Sequence, residues 1–258
     1  MCRMVARAGI AEMPLADELL NCPYSLKYLS ERGQQPHNPE LRGQHKDGCG
    51  IAVVHDHALQ VEKRDRANAW DKSYIDYIKK EKSKSFIAHN RLASSGLDKS
   101  IEGAHPFMLS YSGKMYAFAH NGSVYDFKEA AKARGTSDSL LFFEYLVRNN
   151  EPNDAIKIIH RLREITFRAQ FSSMTGYLLT PDELMVWRIF NDVDPEKAAL
   201  RNRYYTQFVK RQPDKIIFSS EPLDETGWEV LPNFEFYYCN FSGDLLRVER
   251  TNILRHGA

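Results

Sequence analysis

The sequence predicts an α+β domain built of packed layers of strands and helices. Strand-like segments form two groups along the chain, a helical region separates them, and there is no regular alternation of one strand with one helix. The chain has 258 residues, of which 43% are hydrophobic, and this is enough for a large buried core. We find no repeat, low-complexity tract or linker. We therefore expect one domain over residues 1–258 rather than a doubly wound parallel sheet.

Helices are predicted where apolar side chains recur every three or four residues. In chain order these segments are PLADELLNCPYSLKYLSERG (14–33, in short pieces), WDKSYIDYIKKEKS (70–83), SDSLLFFEYLVRNN (137–150) and EPNDAIKIIHRLREITFRAQ (151–170). Ser137 or Asp138 would cap the third of them. Residues 34–48 are polar and rich in helix breakers, so they predict a loop.

Strands are predicted where β-branched and aromatic residues cluster between turn-forming residues. In chain order they are GIAVVHD (50–56), ALQVEKR (58–64), the start of KSFIAHNRLASSG (84–96), KMYAFAHNGSV (114–124), MTGYLLT (174–180), LMVWRIF (184–190), KIIFSSE (215–221), FEFYYCNF (234–241) and LLRVERTNIL (245–254). The segment 114–124 is apolar at both alternating sets of positions. We therefore expect it to be buried between two layers.

Charge and composition exclude several classes of protein. The net charge is +1, from 35 basic and 34 acidic side chains, which argues against a nucleic-acid partner or a strongly basic one. No apolar run is long enough to span a bilayer, and the N-terminus has no hydrophobic core typical of a signal peptide. The four cysteines show no paired spacing, so neither a zinc ribbon nor a disulfide framework is indicated. A reducing cytoplasm is the expected location.

Cys2 stands directly behind the initiator methionine. A small second residue permits removal of Met1, and Cys2 would then carry both a thiol and a free α-amino group. A thiol reacts as the thiolate and has an ordinary pKa of ~8.5. An α-amino group titrates near ~7.7, so part of it is free base at neutral pH. A nucleophile and a base would thus share one residue, unless Cys2 merely belongs to an unstructured terminus.

The stretch AHNGSV places Asn121 and Gly122 at the end of a predicted buried strand. Glycine lets the backbone approach a ligand closely, and an asparagine amide supplies a donor. One side-chain N–H and one backbone N–H are the requirements of an oxyanion hole. The alternative is a simple hairpin turn, for which Asn-Gly is a common sequence.

Two charged residues could hold an amino acid. Arg91 ends the strand in AHNRLASSG, where its guanidinium could bind a carboxylate through two hydrogen bonds. Asp138, in GTSDSLL, lies at a helix start and could hold an ammonium group. The alternatives are a surface salt bridge for Arg91 and a helix cap for Asp138.

The stretch QHKDGCGIAVVHDH suggests a competing metal site. His45, Asp47, Cys49, His55 and His57 are all able to bind a metal ion. His55 and His57 are two residues apart, so on one strand they would share a face. No recognised spacing supplies a further ligand, so we predict no metal.

Taken together and in order, these motifs resemble the class II glutamine amidotransferases. The matching stretches cover the first ~145 residues and are CR at the N-terminus, DGCGIAV, AHNRLASSG, HPF, AHNGSV and TSDS. The last third adds only its strands and FSSEPLDE. The resemblance implies the four-layer αββα sandwich of N-terminal-nucleophile hydrolases. It is closest to stand-alone members, which contain the glutaminase domain alone.

The resemblance also implies roles for individual residues. Cys2 would be the nucleophile, with its own α-amine as the base, and Asn121 with the Gly122 N–H would form the oxyanion hole. Arg91 would bind the α-carboxylate of glutamine and Asp138 its α-amine. The remaining implied residues are His89 and Ser94 beside the substrate, and Asp47, Gly48 and His105 in the pocket wall.

The chain departs from the family pattern at three positions. Cys49 stands where the family often has an aromatic residue, which predicts a roomier pocket. Leu140 replaces an acidic residue that usually follows Asp138 and its neighbouring serine in stand-alone members. Met1 precedes Cys2, and a retained methionine would block the proposed base.

The resemblance predicts hydrolysis of the glutamine side-chain amide through a Cys2 thioester, without a cofactor. Ammonia would pass to a separate synthase partner. A different γ-glutamyl amide or peptide is an alternative substrate, because the motifs define the glutamyl head and not the leaving group. The sequence also leaves open a non-catalytic binding or regulatory domain of the same fold, and a metallohydrolase built on the histidines.

Overall fold

The computed structural model describes residues 2–33, 44–65, 69–93, 101–148 and 155–255. The strands are β1 (Arg3–Pro14), β2 (Cys49–His55), β3 (Ala58–Arg64), β4 (Lys82–Asn90), β5 (Phe107–Tyr111), β6 (Lys114–Val124), β7 (Phe171–Leu179), β8 (Glu183–Arg188), β9 (Phe208–Arg211), β10 (Lys215–Ser219), β11 (Glu229–Val230), β12 (Glu235–Asn240) and β13 (Arg247–Asn252). The α-helices are α1 (Leu26–Arg32), α2 (Lys72–Lys80), α3 (Lys128–Ala133), α4 (Asp138–Val147), α5 (Ala155–Arg168) and α6 (Pro195–Tyr204). A π-helical turn covers Asp17–Asn21, and a 3₁₀ turn covers Tyr125–Phe127.

The strands form two antiparallel sheets. The first has the order β11-β9-β10-β1-β4-β2-β3, and the second has the order β13-β12-β8-β7-β6-β5. β1 occupies the middle of the first sheet, where Val5 pairs with Ser219 of β10 on one side and with Ala88 of β4 on the other. The start of β1 is therefore held between two strands.

Three apolar clusters separate four layers. The cluster between the sheets uses many small side chains, among them Ala6, Ala52 and Ala119, which let the sheets approach closely. A second cluster joins the outer face of the second sheet to α4 and α5. A third joins the outer face of the first sheet to α1 and α2. The predicted α+β, four-layer αββα arrangement is confirmed.

The predicted helices and strands are found with their ends shifted by a few residues, but β1 itself was not predicted. Its sequence, RMVARAGIAEMP, contains Arg3 and Arg7, and both side chains are fully buried. Arg7 Nη1 lies 2.6 Å from Glu18 Oε2, and Arg3 forms an ion pair with Glu221. Because each buried arginine forms an ion pair with a glutamate, a segment that contains two charged residues can form a central strand.

Two of the alternatives that the sequence left open are not found. Asn121 and Gly122 do not form a hairpin turn, because β6 continues through Val124 and pairs these residues with Thr175 and Met174 of β7. His55 and His57 do not lie on one strand, so they do not share a strand face. β2 ends at His55, and His57 lies in the following turn with a φ of 60°.

Candidate active site

Cys2 immediately precedes β1 and is half-buried. Its Sγ lies 4.0 Å from the carbonyl oxygen of Leu92, and its backbone nitrogen donates a hydrogen bond to Asn121 Oδ1 at 3.2 Å. The next residues are also fixed, because Met4 N donates to Ser220 Oγ at 3.1 Å. The thiol therefore has a defined position although it lies near the end of the chain.

The Asn121 amide is arranged to receive an acceptor. Its Oδ1 accepts a hydrogen bond from the Cys2 nitrogen, which leaves the Nδ2 hydrogens available to a different acceptor. Asn121 is only 2% exposed, and within the described residues Nδ2 has no hydrogen-bond partner. A buried donor without an acceptor costs about 1–3 kcal/mol, so binding of an oxygen atom there would recover stability.

Gly122 has a steric reason to be glycine. Its φ is +142°, and a Cβ at this position would lie 2.0 Å from the carbonyl oxygen of Ser173. No other residue fits without moving β6 or β7. The backbone next to Asn121 is consequently held at a conformation that only glycine adopts readily.

Cys2, Asn121 and Gly122 border a cavity of about 180 Å³. This is smaller than a typical drug-sized pocket and suits a small metabolite. The cavity is also lined by Arg91, Leu92, Ala93, Gly103, His105, His120, Ser123, Ser137, Asp138, Ser139, Tyr204 and Tyr205.

Arg91 follows β4 and is 7% exposed. Its backbone is fixed on both sides, since Arg91 N donates to Gly48 O at 2.8 Å and Asp47 N donates to Arg91 O at 3.0 Å. The Asp47 carboxylate accepts from Ala93 N at 3.1 Å. A Cβ on Gly103 would lie 2.7 Å from Arg91 Nη1, so a residue without a side chain makes room for the guanidinium.

Asp138 is the first residue of α4, and Ser137 is the cap. Ser137 Oγ accepts from Leu140 N at 3.2 Å, which leaves the Asp138 carboxylate available for other contacts. Asp138 Oδ2 accepts from Val124 N at 3.0 Å, so the carboxylate is anchored to the end of β6. Leu140 packs against the apolar cluster beneath α4.

Three buried histidines lie beside the cavity. The rings of His89 and His105 have centroids 4.4 Å apart, and of the three histidines His105 and His120 line the cavity. Burial, together with the nearby Arg91 charge, lowers the pKa of His89 to about 3. Burial also lowers the pKa of His105 and His120, so all three rings are neutral at pH 7.

The structure brings most of the predicted site residues together. Around the cavity lie Cys2, Asn121, Gly122, Arg91, Asp138 and His105. Asp47 and Gly48 support the Arg91 backbone, and His89 lies behind His105. Ser94 lies outside the described residues, as does Met1.

The prediction of a roomier pocket at Cys49 is wrong, because its side chain faces the other way. Cys49 belongs to the apolar cluster of the α1–α2 layer, near Trp70 and Tyr74. Burial raises the pKa of its thiol to about 11, so Cys49 is not a thiolate at neutral pH. The residue therefore contributes to the core rather than to the cavity wall.

Sequence reasoning missed Tyr204 and Tyr205, which line the cavity at the end of α6. They are some two hundred positions from Cys2, and their segment was not predicted as a helix. Burial raises the pKa of Tyr204 to about 12, so its phenol is neutral. Nothing in the local sequence distinguishes these tyrosines from others in the chain.

The residues of the competing metal site do not converge. His55 Nε2 lies 2.9 Å from Glu81 Oε2, and His57 is exposed with Nδ1 3.4 Å from Asp182 Oδ1. Across the described ranges, no three His, Cys, Asp or Glu side chains are grouped to hold one ion. Nor is any helix in these ranges long and apolar enough to cross a membrane.

Comparison with known proteins assigns the family. The family model of the class II glutamine amidotransferases matches residues 16–171, which include Arg91, Asn121, Gly122 and Asp138. The chain belongs to the class II glutamine amidotransferases. Cys2 lies ahead of the matched segment.

Two relatives are similar in sequence. A Haemophilus influenzae protein, provisionally named a glutamine amidotransferase, is 27% identical over 154 residues, or 55% of this chain and 51% of the relative. An uncharacterized protein of Methanocaldococcus jannaschii is 30% identical over 255 residues, or 82% of this chain and 68% of the relative.

Solved structures confirm the N-terminal-nucleophile fold. The glutamine phosphoribosylpyrophosphate amidotransferase of Bacillus subtilis matches 98% of this chain and 49% of its own, with a TM-score of 0.64 and 16% identity. A glutamine aminotransferase class-II domain protein of Silicibacter pomeroyi matches 98% of this chain and 99% of its own, with a TM-score of 0.59 and 14% identity. The chain spans about half the length of the Haemophilus relative and of the Bacillus enzyme.

Proposed function

We propose that this protein hydrolyses the side-chain amide of glutamine through a thioester on Cys2. The proposal adds a specific nucleophile and substrate to the family assignment. It requires removal of Met1, so that the Cys2 nitrogen becomes a free α-amine. Ammonia would be released and passed to an acceptor enzyme that is a separate partner.

One observation carries the proposal. The Asn121 amide faces the Cys2 nitrogen with its oxygen, while its buried Nδ2 has no partner within the described residues. A donor placed this way beside a thiol is suited to an oxygen atom that gains negative charge as the thiol attacks. The same hydrogen bond from the Cys2 nitrogen would hold a freed α-amine next to the thiol.

The reaction would proceed in two halves. The α-amine takes the thiol proton, the sulfur bonds to the amide carbon, and the oxyanion is bound by Asn121 Nδ2 and the Gly122 N–H. The α-amine then gives the proton to the leaving nitrogen as the C–N bond breaks. Water attacks the thioester, releases glutamate and restores the thiol. No metal or organic cofactor takes part in these steps.

Arg91 and Asp138 support glutamine as the substrate. A buried cation and a half-buried carboxylate line the same small cavity, and an α-amino acid carries the two complementary charges. Cys2, Asn121 and Gly122 line the same cavity, so one small substrate held by this pair could present its side-chain amide to the thiol. A reducing compartment such as the cytoplasm would keep the thiol active.

The test is covalent labelling of the nucleophile. The purified protein is incubated with a glutamine-derived electrophile, with and without a chelator, and its intact mass is measured. We expect one adduct per chain on a peptide that begins with Cys2, and no effect of the chelator. Cys22→Ala is the matched control, because Cys22 is also half-buried but lies outside the cavity.

The outcomes separate the candidate functions. Labelling and glutaminase activity that both disappear in Cys2→Ala, and persist in Cys22→Ala, support the proposal. Activity that a chelator removes would support a metallohydrolase. A protein that is neither labelled nor active, with its N-terminus verified as cysteine, would be a binding domain of this fold. Active protein whose N-terminus is still methionine would eliminate the α-amine as base.

A further inference from the structure

Helix α6 is attached to the protein in an unusual way. None of its residues is buried, although its C-terminal end reaches the candidate active site. Polar contacts hold it instead. Asp194 caps its first turn, and Arg201 Nη1 donates to Asn191 O at 2.9 Å. Because no residue of α6 is fully buried, such contacts are important for keeping the helix in place.

Arg188 of β8 fixes the C-terminal end of α6. Its Nε donates to Tyr205 O at 2.7 Å, and its Nη2 donates to Asn202 O at 2.8 Å and to Asn202 Oδ1 at 2.7 Å. Within the described residues, every acceptor that Arg188 contacts is an uncharged oxygen. A buried guanidinium at the C-terminal end of a helix also interacts favourably with the negative end of the helix dipole. The fork-shaped side chain thus sets the position of Tyr205.

Tyr205 connects α6 to β6, the strand that carries Asn121 and Gly122. Its hydroxyl lies 3.0 Å from Ser172 Oγ, and the same Oγ accepts from Ser123 N at 3.0 Å. Ser123 is the residue after Gly122. The ring of Tyr204 stands against that of Tyr205 edge to face, with centroids 5.1 Å apart. The two rings therefore form one aromatic wall whose position is set by Arg188 and by β6.

This wall lines the same cavity as the Cys2 thiol. In the proposed function, Arg91 and Asp138 bind the α-carboxylate and the α-amine of the substrate. Asn121 and the Gly122 N–H donate hydrogen bonds to its side-chain carbonyl oxygen. Tyr204 and Tyr205 line the same cavity and have no part in these roles, which makes them candidates for the wall that meets the leaving nitrogen.

We infer that Tyr204 and Tyr205 set the size of the leaving group, so that the enzyme accepts primary γ-amides and rejects γ-glutamyl amides with bulky nitrogen substituents. The inference rests on the proposed function and decides between the substrates that the family motifs leave open. Arg188 is a positioning residue for this wall. The tyrosines determine specificity and take no part in proton transfer.

The test compares two substrates in protein that begins with Cys2. kcat/KM is measured for L-glutamine and for γ-L-glutamyl anilide in the wild type, Tyr204→Ala and Tyr204→Phe. We expect the wild type to prefer glutamine by at least about 100-fold, the range over which a tight pocket rejects an added group. Tyr204→Ala should raise the anilide-to-glutamine ratio at least tenfold, while Tyr204→Phe, which keeps the ring, should retain the wild-type ratio.

Two controls isolate the wall from general effects. Tyr28→Ala, the same change at an exposed tyrosine of α1, should leave the ratio unchanged. Arg188→Lys, which loses the fork, should shift the ratio in the direction of Tyr204→Ala while the protein remains folded by its melting curve. A wild type that hydrolyses the anilide as fast as glutamine, or an unchanged ratio in Tyr204→Ala, would overturn the inference.

A second measurement does not depend on turnover and so separates this inference from the proposed function. The Cys2 thiol is alkylated with iodoacetamide and with a bulky fluorescein maleimide, and the two rates are compared. Tyr204→Ala should accelerate the maleimide at least tenfold relative to iodoacetamide if the wall limits access to the thiol. Equal acceleration of both reagents, or none, would contradict the wall even in a protein that hydrolyses glutamine.

Discussion

His120 Nδ1 lies 2.9 Å from Ser139 Oγ, and His120 Nε2 lies 3.2 Å from the carbonyl oxygen of Ser173. A carbonyl oxygen only accepts, so Nε2 carries the ring hydrogen and Nδ1 accepts from the Ser139 hydroxyl. His120 therefore joins β6, which carries Asn121, to the first turn of α4, which carries Asp138. One neutral imidazole connects the proposed oxyanion donor to the proposed ammonium site.

Replacing His120 with phenylalanine should weaken glutamine binding more than it weakens the fold. The ring would still pack beside Phe118 and Phe142, but both hydrogen bonds would be lost. A buried polar group left without its partner costs about 1–3 kcal/mol, so we expect KM for glutamine to rise about tenfold or more. Steady-state kinetics and a melting curve on one sample measure both effects. His120→Gln, which can still donate near Nε2, should recover part of the loss, and identical kinetics in His120→Phe would contradict the connection.

Asn121→Asp tests the oxyanion donor directly. The aspartate keeps an oxygen for the Cys2 nitrogen but replaces Nδ2 with a second oxygen beside the developing negative charge. Loss of one such donor typically lowers kcat by ~10²–10³. We expect at least this loss, measured per mole of protein shown to be folded by circular dichroism. Asn252→Asp, at the end of β13, is the control and should remain active. Near-normal turnover in Asn121→Asp would remove Asn121 from the mechanism.

Gly122→Ala should destabilise the protein beyond the cost of backbone strain alone. A Cβ would lie 2.0 Å from the Ser173 carbonyl oxygen, and the φ of +142° is unfavourable for alanine. Strained backbone conformations cost about 1–3 kcal/mol, and the steric overlap adds to this. Gly113→Ala is the matched control, since Gly113 also has a positive φ of +76° but no atoms within 4 Å of the place where the added methyl group would lie. Urea unfolding should show a clearly larger loss for Gly122→Ala, and equal losses would refute the overlap.

The buried histidines should make the fold sensitive to acid. Burial lowers the pKa of His89 to about 3, whereas an unfolded chain has a histidine pKa of ~6.5. The stability that neutral His89 contributes is therefore present above pH ~6.5 and is lost as the pH falls toward 3. Each such histidine adds a slope of up to about 1.4 kcal/mol per pH unit in this window. His89→Phe should flatten the dependence of the unfolding free energy on pH between 6.5 and 4.5.

His57→Asn provides the control for the acid prediction. His57 is exposed in the turn after β2, so its removal should leave the slope of stability against pH unchanged. Asparagine also tolerates the positive φ of this position. A slope that is the same in the wild type and in His89→Phe would mean that His89 is accessible to protons in the folded protein.

Much of the architecture could be predicted from the sequence because most elements follow ordinary patterns. The apolar segments that became β2, β6 and β8 have the composition of buried strands, and the helix at Asp138 has a recognisable cap. We could predict that Arg91 and Asp138 bind one ligand, because an α-amino acid carries both a carboxylate and an ammonium group. The order of the motifs then indicated the family.

Features that depend on distant contacts could not be predicted. The sequence of β1 is typical of a polar segment because its arginines are neutralised from outside the strand. Glu221, which pairs with Arg3, is remote in sequence, and Glu18, which pairs with Arg7, lies in another element. The orientation of Cys49 depends on which face of β2 meets the layer of α2. Tyr204 lines the cavity of Cys2 from the end of α6, which Arg188 of the other sheet holds through Asn202 and Tyr205. In each case the information lies in packing between elements rather than in any one segment.

The position of β1 in the middle of its sheet has a consequence for folding. Val5 of β1 pairs with Ser219 of β10, which lies more than two hundred positions further along the chain. Contacts between residues so distant in sequence are slow to form, because a long intervening loop must first be closed. Met4 also donates a hydrogen bond to Ser220 Oγ, so the place of the preceding Cys2 depends on this distant pairing. A substitution that weakens β10 would therefore displace the thiol as well as one strand of the sheet.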